Sequence, residues 1–81
     1  MEQASRALAS GAPQTCIDIL DAVIADGATP FALKRRGDCL MRAGRRDDAI
    51  RDYQRFCRIA PDHPATGTVR EQLAGMGLTC P

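Results

Sequence analysis

The sequence predicts an all-α fold: antiparallel helix–turn–helix units stacked side by side, about five helices in one domain. Three observations predict it. Apolar residues recur at i, i+1, i+4, i+7 and i+8, one stripe of a 3.6-residue helix. The stripe occurs twice. Shifted by 33 residues, Gly11 falls on Gly44, Cys16 on Ala49 and Ile17 on Ile50, while Leu20 falls on Tyr53, Val23 on Phe56 and Ile24 on Cys57. Pro30 pairs with Pro64 at a shift of 34. Matched apolar positions mark a repeated packing unit. Composition agrees, because the chain holds 13 alanines and few β-branched runs.

Glu2–Ser10 and Pro13–Ala25 read as a first helical pair. Pro30 sits at or just before the next helix start, where its missing N–H costs nothing, and that helix covers Phe31–Ala43. Gly44 ends it, as the residue suited to a left-handed C-terminal position. Asp47 and Asp48 then place carboxylates in the first turn of the next helix, at the positive end of its dipole. The run GRRDDAI at 44–50 is therefore a connector between helices. The second helix of this pair runs to Ile59 or Ala60, closed by Pro61 and Pro64. Thr66–Met76 forms a last helix, with Val69, Leu73 and Met76 on one stripe and Gly75 and Gly77 fraying its end.

Residues 30–63 also carry a spaced motif. Leu33, Arg36, Gly37 and Leu40 are succeeded by Ala49, Tyr53 and Pro61, with twelve residues from Gly37 to Ala49 and twelve more to Pro61. This resembles the tetratricopeptide repeat, a 34-residue helix–turn–helix whose small residues let its two helices approach closely. The resemblance implies an α-solenoid of about two repeats. Residues 1–29 form a degenerate copy, with Ala4 and Cys16 as its small pair, 30–63 a well-matched one, and 64–77 a capping helix. Tyr53 and Phe56 would project toward the neighbouring repeat. Arg36 stands where the motif has leucine and Arg46 where an aromatic is usual. Both should thin the core or lay aliphatic stems over it.

Charge and cysteine usage bound the function. The chain of 81 residues, close to the lower size for an independent core, has a net charge of +1. Its charge is polarised: residues 1–33 net −3, residues 34–58 net +5 and the rest −1. No apolar span is long enough for a membrane, and the chain shows no signal peptide. A soluble protein is expected, its compartment open with the cytoplasm ahead. Cys16, Cys39, Cys57 and Cys80 lie 23, 18 and 23 apart, without the paired spacing of a zinc site. Four cysteines allow three disulfide pairings, but the preferred reading is buried or terminal free thiols. His63, between two prolines, reads as a solvated loop residue. No nucleophile elbow, phosphate loop or convergent carboxylate pair is present. We expect no catalytic residue, metal or cofactor.

The resemblance implies a protein-interaction module, holding an extended peptide or partner helix on the face lined by each repeat's first helix. Helical spacing puts Phe31, Lys34, Arg35, Asp38, Met41 and Arg42 there. Three cations among six suit an acidic peptide or C-terminal carboxylate, with Lys34 where carboxylate-gripping members carry lysine and Asp38 where they prefer asparagine. A second hypothesis is nucleic-acid binding through Arg35, Arg36, Arg42, Arg45, Arg46, Arg51, Arg55 and Arg58. The i, i+4, i+7 stripe of Arg51, Arg55 and Arg58 favours it, while interleaved aspartates and scarce aromatics disfavour it. A third is assembly: solenoids want about three repeats, so two should self-associate or be part of a larger chain.

Overall fold

The structure, a computed structural model, describes residues 13–80. It contains α1 (Pro13–Asp26), α2 (Pro30–Arg42), α3 (Arg46–Ile59) and α4 (Thr66–Ala74), with no strand among the described residues. The expected Glu2–Ser10 helix falls outside them. The fold is all-α, as the periodicity predicts. α2 and α3 form the tightest antiparallel pair, α1 packs on α2, and α4 packs on α3.

Local chemistry bounds α2 where the sequence signals it. Thr29 caps α2 by accepting the Ala32 N–H at 3.2 Å, with Pro30 as the first helical residue. At the other end Gly44 takes φ +75°. The Arg45 N–H donates to the Leu40 carbonyl at 2.9 Å and the Gly44 N–H to Met41 at 3.1 Å, a Schellman closure. Asp47 and Asp48 occupy the first turn of α3. A second closure ends α4: Gly77 at φ +76°, with the Leu78 N–H donating to Leu73 at 2.9 Å. This turn stops the helix at Ala74, two residues short of the expected Met76.

The core gathers Ile17 and Leu20 from α1, Leu33 and Leu40 from α2, Tyr53 and Phe56 from α3, and Val69 and Leu73 from α4. These are the residues of the predicted stripes. Burying each large side chain is worth roughly 1.5–3 kcal/mol, which makes the two aromatics of α3 the principal anchors of a thin core. The close approach at Gly37 is to Tyr53: a β-carbon there would lie 2.7 Å from the ring's Cε1. Tyr53 thus packs within its own repeat as well as reaching α4, where Gln72 approaches its hydroxyl.

Three sequence expectations need correction. The thiols are not free: Cys16 of α1 bridges Cys39 of α2, and Cys57 of α3 bridges Cys80 beyond α4, with Cα–Cα distances of 6.2 and 5.6 Å. One bridge ties α1 to α2 and the other ties α3 to the segment after α4, a proximity that spacing alone did not reveal. Arg36 does not merely thin the core. Its guanidinium donates twice to Asp52 of α3, both at 2.8 Å, and once to Asp21 of α1 at 3.1 Å. Asp52 is only 5% exposed, so a bidentate, charge-assisted pair replaces the apolar contact of a leucine. His63 is no solvated loop residue either. Its Nδ1 accepts the Ala65 N–H at 3.0 Å, and its ring stands edge-on to Phe56 at 5.3 Å.

Candidate functional site

Helical geometry sets Phe31, Lys34, Arg35, Asp38, Met41 and Arg42 along one stripe of α2, away from buried Leu33, Gly37 and Leu40. The structure splits these six by environment. Phe31 and Met41 are 48% and 38% exposed. The Arg35 guanidinium lies over the Phe31 ring, 5.3 Å from its centroid, a cation–π contact. Arg42 is exposed in the last turn of α2.

Lys34 and Asp38 behave differently. They pair across one turn at 2.8 Å, both largely covered. Asp38 also accepts the Tyr53 hydroxyl and faces the Gln72 amide at 3.4 Å. Burial, then the hydrogen bond and charge of Asp38, push the Tyr53 phenol well above its ordinary pKa. The Lys34 ammonium is therefore already partnered, and Asp38 serves as the hub of a network joining α2, α3 and α4.

Gln72 is the residue that sequence reasoning missed. It lies 34 residues after Asp38, one repeat period on, and the two side chains meet. The period read from Pro30 and Pro64 would have found it. Its Oε1 is buried without a hydrogen-bond donor, an acceptor left beside the exposed stripe of α2. This surface offers exposed Phe31 and Met41 and the cations Arg35 and Arg42, backed by the Asp38–Tyr53–Gln72 network, in which Tyr53 is fully buried. Such a combination suits recognition of a chain segment through its apolar side chains.

Among the described residues no group of three or more His, Cys, Asp or Glu could hold a metal ion. No described helix is long and apolar enough to cross a membrane. Asp47 and Asp48, adjacent in the first turn of α3, differ in surroundings: Asp48 accepts two bonds from Arg45, while Asp47 is exposed.

Among known protein families, the tetratricopeptide repeat matches residues 30–63 of the chain. Nothing among curated proteins or solved structures matches it.

Proposed function

The chain carries a tetratricopeptide repeat at residues 30–63, and from that premise we propose that it is a non-catalytic interaction module. It holds a peptide or partner helix against the α2 stripe, beside Gln72. Repeats of this family generally mediate protein–protein contacts and are typically non-enzymatic. The observation that carries the reading is the conjunction of exposed Phe31 and Met41 with the Asp38–Tyr53–Gln72 network one repeat period long. Apolar anchors beside prearranged polar groups are what peptide grooves use for affinity and register. Because Asp38 partners Lys34, the groove favours a segment anchored by an apolar side chain over one gripped by its terminal carboxylate.

Selection of binders from a displayed random-peptide library tests this. Selected peptides should perturb the amide resonances of Phe31, Arg35, Met41 and Gln72, and should lose affinity against Phe31→Ala and Met41→Ala. Binders that ignore both substitutions would refute the groove.

The two disulfides also bear on where the module works. Bridges of this kind persist in oxidising compartments and are rare in the cytosol, so we place the module outside the reducing cytoplasm. Thiol titration of the denatured native protein should find no free cysteine; four would refute the placement.

A further inference from the structure

A concave surface lies on the α1–α2–α3 side, and its lining includes none of Phe31, Lys34, Arg35, Asp38, Met41 and Arg42. It encloses about 460 Å³ and is lined by five arginines, Arg36, Arg45, Arg51, Arg55 and Arg58, against three aspartates. The carboxylates are already committed. Both oxygens of Asp52 are taken by Arg36, and Asp21 accepts the third Arg36 bond. Asp48 accepts two bonds from Arg45, leaving Arg51 at 3.7 Å. Arg55 and Arg58 make no ion pair among the described residues, and Arg51 is 81% exposed. The excess positive charge is thus concentrated along one edge of the cavity.

We propose that this groove is a docking site for an extended acidic peptide segment of a partner protein. The spacing fits. Arg51, Arg55 and Arg58 fall at i, i+4 and i+7 on α3, spanning roughly 10 Å of helix rise. An extended chain places alternate side chains about 6.6–6.8 Å apart on one face. Two or three carboxylates in alternation can therefore each meet a guanidinium in charge-assisted geometry. A nucleic acid fits less well. Its phosphates are continuous, so Asp21 and Asp48 would oppose some of them, and no aromatic side chain lines the groove for base stacking. A peptide can set neutral residues opposite both aspartates.

The test uses the full chain and a fluorescent synthetic peptide of alternating glutamate and serine, with a glutamine-for-glutamate peptide as control. The acidic peptide should bind, weaken with added salt, and lose about tenfold or more of its affinity against Arg55→Glu/Arg58→Glu. Both positions are exposed and make no ion pair among the described residues, and the variant's fold is checked by its circular dichroism. Phe31→Ala should leave this binding unchanged. Three outcomes would each overturn the proposal: no binding at low salt, equal binding of the glutamine peptide, or loss through Phe31→Ala instead of the arginine variant. So would displacement of the peptide by oligothymidylate at lower concentration than unlabelled peptide. Because the two faces share no residue, failure here leaves the α2 groove standing, and failure there leaves this one.

Discussion

Replacing Gly37 with alanine would set a methyl group 2.7 Å from the Tyr53 ring. That ring is fully buried and held at its hydroxyl by Asp38, so it has little room to swing aside. Overpacking of this kind costs about 1–3 kcal/mol, against a helix-propensity gain of about 1 kcal/mol. Gly37→Ala should therefore destabilise in chemical denaturation. Gly67→Ala, with nothing within 4 Å, should be neutral or stabilising. Tyr53 itself supplies a pH signature. Its phenol is kept neutral in the fold by burial and by Asp38, whereas an unfolded tyrosine titrates near pH 10. A raised folded pKa means the stabilisation is complete below about pH 10 and is lost as pH rises beyond it, by up to about 1.4 kcal/mol per unit. As the chain has one tyrosine and no tryptophan, tyrosinate absorbance should appear only as the protein unfolds. Tyr53→Phe should flatten the alkaline slope.

Between elements, Arg36 is the decisive side chain, because one guanidinium fastens α2 to both α1 and α3. Its hydrogen bonds to Asp52, the largest influence on it, hold the guanidinium charged more firmly than usual, against the opposing effect of burial. Arg36→Leu restores the residue usual for the repeat but strands a buried carboxylate, and should cost about 3–5 kcal/mol by thermal or denaturant unfolding. Adding Asp52→Leu should recover most of that loss, since an apolar pair of similar volume often matches a buried ion pair. A double-mutant cycle checks both numbers. This contact also shows what sequence could not supply. Gly44 was legible because a left-handed helix end demands glycine, and the α3 stripe because burial tracks helical spacing. Arg36 looked like a departure because its partners lie 15 and 16 residues away on two other helices, distances that only the packing reveals. Gln72 was half-legible, through the period but not through its own residue type. The bridges were the least legible: any of three pairings fits the spacing, and the burial of Cys16, Cys39 and Cys57 is equally that of free thiols.

At the scale of the described fold, the bridges add covalent ties between its helices. Each closes a separation of 23 residues, and on the chain-entropy model such a loop is worth about 3 kcal/mol. Reduction should therefore lower the thermal midpoint sharply. Replacing Cys57 and Cys80 with alanine should loosen α4 first, read as faster amide exchange at Val69 and Leu73 than at Leu33. Light scattering over a concentration series, with and without reductant, separates a self-sufficient monomer from an assembling one. An oxidised monomer that associates only on reduction would mean that exposed repeat ends drive association once the bridges are gone.

The pairing pattern has one more consequence, for biogenesis. Cysteines join in the order in which they emerge, first with second and third with fourth, and the two loops neither overlap nor nest. A chain entering an oxidising compartment amino end first can close Cys16–Cys39 before Cys57 arrives, and each cysteine's native partner is then the next one available. Pairing these four cysteines in order of emergence therefore yields the native connectivity.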